Sequence, residues 1–235
     1  MGKSVVVLCV MLATAACARA SARLDDIEAL LHDQPGNGRA IVEVLERLPL
    51  EERQTADYHR LLARACQAAD QPGPAAEALA TGALLGGAAD GELAAVRAWL
   101  TARGHALARQ AADARAAGDS RTALRAFLLA GKCLPDVLAE DAAVTEQAFA
   151  ALDRAAALHP DRPAYGFLSG FLGYLAGQMD RAAAGFRAAL AAEKDPYRAW
   201  RDRLWMQRVS WEFAAANRRA PTADAPSMDG LERTR

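Results

Sequence analysis

β-Branched residues are sparse beyond the first dozen positions of this 235-residue chain, and strict apolar/polar alternation is nowhere sustained. Strands need both, so an all-β or α/β architecture is excluded. Cysteine numbers four, too few for a disulfide scaffold. Neither sign of charge is in excess: 28 Lys+Arg face 29 Asp+Glu, a formal net charge of −1. That leaves no global basic field for nucleic acid and no acidic excess of the kind that keeps chains disordered. Histidine stands only at positions 32, 59, 105 and 159, without the His-x3-His or His-Glu-x2-His arrangement of a helical zinc site. No Gly-x4-Gly-Lys-Ser/Thr loop or Gly-x-Gly-x2-Gly turn occurs, and Gly166, Ser169 and Gly170 miss the nucleophile-elbow spacing. The reading therefore names no catalytic residue, cofactor or metal, and expects a protein that is not an enzyme.

Alanine, in contrast, supplies about a quarter of the residues, with Leu and Arg next, a mix that favours helix. From Leu24 to about Ala216 apolar residues recur at spacings of three and four. Pro35-Gly36, Pro72-Gly73, Gly86-Gly87, Gly118, Pro135, Pro160, Gly177 and Pro196 punctuate the pattern. Helices of roughly 10 to 20 residues joined by short turns are expected. Cys66 and Cys133 fall on apolar helix faces as small hydrophobes, with a disulfide between them an open alternative. His59 and His159 read as surface or turn residues, and Ser169 as a small packing residue. The carboxylate pairs Asp25-Asp26 and Glu51-Glu52 stand at helix starts, where they suit the positive end of the dipole.

The first twenty residues form a targeting segment: Lys3, an apolar run from Val5 to Met11, then small residues from Ala13. The run is too short to span a bilayer. Two processing routes fit. One is cleavage after Ala18-Arg19-Ala20 and plain secretion. In the other, Thr14-Ala15-Ala16-Cys17 resembles the lipobox of bacterial lipoproteins, with Thr14 where Leu is commonest. That resemblance implies a signal peptide over 1–16, acylation of Cys17, and a lipid anchor and tether over 17–23. Ala18 then resembles the residue choice that sends such proteins to the outer membrane, the folded part facing the periplasm. Cys9 belongs to the apolar run.

Residues 24–216 carry an internal repeat. Ala123, Phe127, Ala130 and Pro135 share their spacing with Ala148, Leu152, Ala155 and Pro160, and with Ala182, Phe186 and Ala189. Ala75, Leu79 and Gly82 fit the same scheme, and Ala40 and Val44 fit it loosely. A small residue lets paired helices approach, a large one fills the space between hairpins, and proline stops the helix. This spacing resembles the second helix of the tetratricopeptide repeat, and Gly170, Gly177 and Trp200 fit places in its first helix. The resemblance implies an all-α fold, a right-handed helical-hairpin repeat array, with a generic α-helical bundle as the alternative. Its anchor alanines at 40, 75, 123, 148 and 182 are unevenly spaced, so the centre is expected to be irregular. An extra helical pattern over Glu92 to Arg103 either fuses through Gly104 or stands alone, and Asp136 to Val144 leaves little room for a full helix. A C-terminal capping helix over 197–216 carries Trp200, Leu204, Trp205, Val209, Trp211 and Phe213, with Arg198, Arg201, Arg203 and Arg208 on its charged side. Residues 217–235 read as a disordered tail.

In the resembled family the first helix of each hairpin lines a concave groove. Its places map to Asp57, Arg60, Arg64 and Gln67, to His105, Ala108, Ala112 and Arg115, and to Phe167, Phe171 and Tyr174. Arg60 and Arg64, four apart, share a helix face and suit carboxylates, or else pair with Asp57 and nearby acids on a solvated face. Phe167, Phe171 and Tyr174 are groove or core. The function expected is a non-catalytic, membrane-tethered periplasmic scaffold that holds another envelope protein or peptide segment through Arg60, Arg64, Gln67, His105 and Arg115. The alternative is an accessory of an envelope transport system that binds a small anion or peptide.

Overall fold

A computed structural model of the chain describes residues 23–86, 91 and 93–219. The targeting segment with Cys17, Cys9 and most of the tether lies outside the described residues, as does the tail from 220 onward. Among the described residues the chain is all-helical and holds no strand. Helix α1 spans 23–33; a 3-10 turn, Pro35–Asn37, leads to α2 (Gly38–Glu46), α3 (Leu50–Arg53), α4 (Ala56–Ala68) and α5 (Pro72–Leu84). Then follow α6 (Ala94–Ala116), α7 (Ser120–Cys133), α8 (Asp136–Glu140), α9 (Ala142–Leu158), α10 (Pro163–Leu175), α11 (Met179–Ala192) and α12 (Pro196–Arg219).

The punctuation seen in the sequence sets these ends. Pro72, Pro163 and Pro196 stand in the first turns of α5, α10 and α12, where a missing N–H costs nothing. Thr55, Asp119 and Asp141 accept the backbone N–H of Tyr58, Thr122 and Val144, capping α4, α7 and α9. Gly118 and Gly177 close α6 and α10 at φ values of 79° and 72°, where a side chain would be strained.

Consecutive helices pair as hairpins: α4 with α5, α6 with α7, α10 with α11. The third is the closest, because Gly166, Gly170 and Gly185 bring backbone against backbone; a Cβ on Gly185 would strike the Gly170 main chain. The uneven centre takes definite form. The extra pattern fuses with the next helix through Gly104, whose hydrogen faces Leu134 so closely that a Cβ would sit 2.5 Å from the Leu134 Cβ. The cramped interval holds only the short α8. Ala75, Ala123, Ala148 and Ala182 are buried as their spacing requires, but Ala40 and Val44 are exposed. In α2 the inward face belongs to Ile41, Val42 and Leu45 instead, because α2 packs on α4 through that side.

Three apolar clusters run along the molecule. The first joins α1, α2, α4, α5 and the start of α6; the second joins α6 to α10; the third lies between α10, α11 and α12. Helix α12 covers the last hairpin with Trp205 and Val209. It also returns to the front of the chain, touching α3 and α5. Tyr197 accordingly belongs to the first cluster and Trp205 to the third. Cys66 and Cys133 are free and buried; no disulfide joins them. No described helix is long and apolar enough to cross a membrane.

Candidate functional site

The return of α12 creates a half-open polar pocket of about 410 Å³ against α4 and α5. Its floor is Tyr58, His59 and Leu62 of α4; one wall is Pro74, Glu77, Ala78 and Thr81 of α5, the other Asp195, Tyr197, Arg198 and Arg201 at the start of α12. Glu46 and Arg53, from the ends of α2 and α3, complete it.

The closing helix is fastened by specific contacts. Trp205 Nε1–H donates to Thr81 Oγ1 at 3.2 Å across 124 positions, and the Thr81 hydroxyl donates to the Glu77 carbonyl at 2.8 Å. The Arg53 guanidinium lies over the Tyr197 ring at 3.8 Å. Arg201 stands over the Phe167 ring at 3.4 Å and pairs with Asp202 at 2.9 Å and Glu77 at 3.6 Å, while Glu77 also accepts from Lys132. Arg201 was expected on the charged outer side of this helix. It faces inward instead, because α12 is enclosed by two hairpins and its polar stripe must find partners. Around it the rings of Tyr58, His59, Tyr197 and Trp200 form a ladder, with His59 stacked 6.1 Å from both Tyr197 and Trp200.

His59 is 1% exposed, which corrects its assignment to surface or turn. Its helix is covered on several sides, by α2, α5 and α12, so no face of α4 that carries His59 reaches solvent. Burial, with Arg201 and Arg53 adding to it, pushes the imidazole down to about 3. His59 is therefore neutral, with one N–H donor and one acceptor nitrogen. Burial likewise raises Tyr58, against the pull of the nearby Arg53, and raises Tyr197. Four buried polar atoms on this lining have no protein partner of hydrogen-bond geometry: Arg53 Nε, the Tyr58 hydroxyl and both nitrogens of His59. A buried polar group left unpaired costs roughly 1 to 3 kcal/mol. Such a cluster around one space is what a site for a polar molecule looks like.

The residues singled out from sequence lie elsewhere. Arg60 and Arg64 share a face of α4, and both bind Glu28 of α1, Arg60 with its Nη2 at 3.0 Å; Asp57 is 3.8 Å from Arg60 Nε. Burial pushes the Glu28 carboxyl up, and the two guanidiniums more than offset this, holding it below the usual range. Gln67 donates to the Ala95 carbonyl at 3.4 Å. His105 is exposed on α6, and Arg115 pairs with Asp141 at 3.2 Å. Phe167 and Phe171 are core, and Tyr174 is half-buried, donating to Glu212 at 2.9 Å. Sequence reasoning missed Arg53, Tyr58, Tyr197 and Arg198. The available signal was the aromatic density of Tyr197 and Trp200 beside arginines at a helix start, together with adjacent Tyr58 and His59 in a helix of otherwise apolar inward positions.

A second concavity, an open apolar trough of about 750 Å³, runs between α7, α9 and α10. Leu124, Leu128, Leu152 and Leu168 line it, and Arg121 and Arg125 stand exposed on its rim. Among the described residues no group of three or more His, Cys, Asp or Glu side chains is placed to hold a metal ion. Comparison of the chain with protein-family models, curated proteins and solved structures yields no match.

Proposed function

We propose that this protein is a non-catalytic binding protein for a small polar solute, held in the pocket beneath α12, and that it works at the bacterial cell envelope. The observation that carries the reading is that Arg53, Tyr58 and His59, three residues lining one polar pocket, hold buried polar atoms without a hydrogen-bond partner. The binding arginines are then Arg53 and Arg198 rather than Arg60, Arg64 and Arg115. Acylation at Cys17 and a periplasm-facing position at the outer membrane rest on the lipobox-like Thr14-Ala15-Ala16-Cys17 alone. Kinship with tetratricopeptide-repeat proteins is part of the same proposal, supported by the hairpins and by buried Ala75, Ala123, Phe127, Ala182 and Phe186 at the repeat's spacing.

Thermal-shift screening of the full chain against a library of small polar solutes, repeated on His59→Leu, tests the binding reading. The variant keeps the volume and removes both ring nitrogens. A solute that stabilises the parent and not the variant is the expected result; stabilisation that survives the substitution would place binding elsewhere.

The apolar trough favours a second reading, an adaptor that seats the apolar face of an acidic partner segment between α7 and α9 with Arg121 and Arg125 at its edge. A photo-crosslinking residue at Leu128 that captures one envelope protein in cells supports this reading; no capture there removes it.

A further inference from the structure

We propose that the cavity selects a small monocarboxylate with a hydrogen-bond donor beside the carboxylate, that is, a 2-hydroxy or 2-amino acid. This rests on the cavity being a binding site. The charge of the lining sets the charge of the ligand. Arg201 is engaged by Asp202 and Glu77, and Glu77 also holds Lys132. Asp195 is engaged at the start of α12, where it accepts the Arg198 backbone N–H at 2.8 Å. What remains on the lining is Arg53 and Arg198, neither in an ion pair among the described residues, against the exposed Glu46. Counted together, Arg53, Arg198 and Arg201 balance Glu46, Glu77 and Asp195, so the lining has no net positive charge to meet a phosphate dianion, while the two guanidiniums outside ion pairs give one carboxylate a local partner.

The unpartnered atoms then set the chemistry of the buried end. Arg53 Nε–H, Tyr58 O–H and the N–H of neutral His59 are donors that lack acceptors. A carboxylate offers two oxygens with about four lone-pair directions, and its bond to a guanidinium is charge-assisted. The other nitrogen of His59 is an acceptor without a donor. A hydroxyl or amino group on the carbon next to the carboxylate places a donor beside it. Leu62, Ala78 and the Tyr197 ring leave an apolar stretch of lining for a short apolar side chain.

Titrating the full chain with L-lactate and L-alanine while following the ring signals of His59 by NMR, assigned through His59→Gln, tests this. Lactate or alanine should move those signals saturably, and propionate, which lacks the adjacent donor, should bind roughly tenfold more weakly. Arg53→Lys, which keeps the charge and loses Nε–H, should weaken binding about tenfold. Arg198→Gln, at an exposed position that leaves the fold intact, should weaken it several-fold. If inorganic phosphate, succinate or glucose moves the His59 signals and neither lactate nor alanine does, the ligand class is wrong and the cavity reading stands. If none of these six solutes moves them, both fall.

Discussion

His59 concentrates the chemistry of this protein in one side chain. A histidine with both ring nitrogens buried and unpartnered is unfavourable for folding, and here its burial, with Arg201 and Arg53 adding to it, keeps it uncharged. The unfolded chain binds a proton at this imidazole near its ordinary value of 6.5, whereas the folded chain binds it only near about 3. Its contribution to stability is therefore whole above pH 6.5 and is lost as pH falls through that window, by up to about 1.4 kcal/mol per pH unit. Urea unfolding of the parent and of His59→Gln between about pH 7 and pH 4 checks this. The parent should lose stability more steeply than the variant; parallel curves would mean that the ring is protonated in the folded state and that the site is not the donor and acceptor pair described above.

At the scale of elements, the hairpin of α10 and α11 shows how sequence spacing becomes packing. Phe186 is fully buried against Phe167 and Trp205, with ring centroids 5.7 and 5.9 Å away, while Gly185 beside it lies on the backbone of Gly170. Phe186→Ala should cost roughly 3 to 5 kcal/mol through the cavity it leaves. Gly185→Ala should cost about 1 to 3 kcal/mol even though alanine is the better helix former, because both helices must separate. Chemical unfolding measures both, and a stabilised Gly185→Ala would contradict the contact. Helix ends were legible beforehand because proline and positive-φ glycine act within a few residues of where they stand. The continuity of α6 was one of two open readings, fusion through Gly104 or a separate helix, and only the approach of Leu134 from the end of the next helix shows why a residue without a side chain belongs inside it. Arg60 and Arg64 were legible as a pair with nearby acids as one reading, but which acid was not, since nothing in their own helix announces Glu28 of α1.

At the scale of the molecule the decisive feature is that α12 bridges the first and last hairpins. Amphipathic periodicity is local, so it marks α12 as a helix with a buried stripe and says nothing of which helices bury it; that depends on the accumulated turn of every hairpin between Thr81 and Trp205. For the same reason the cavity could not be assembled from sequence, being made of residues from α2 to α5 and from the start of α12. In a linear repeat array each unit is stabilised by its neighbours alone, so damage at the last element is felt by the last hairpin. Here Trp205 rests on Phe171, Tyr174 and Phe186 on one side and donates to Thr81 on the other. Trp205→Ala should therefore cost roughly 3 to 5 kcal/mol and loosen both ends of the chain. Amide hydrogen exchange should quicken in α4 and α5 together with α10 and α11, while the α6–α7 hairpin, whose apolar cluster excludes α12, keeps more of its protection. If α4 and α5 exchange as in the parent, α12 is a cap on the last hairpin only, and the wall it gives the pocket is not held in place by Trp205.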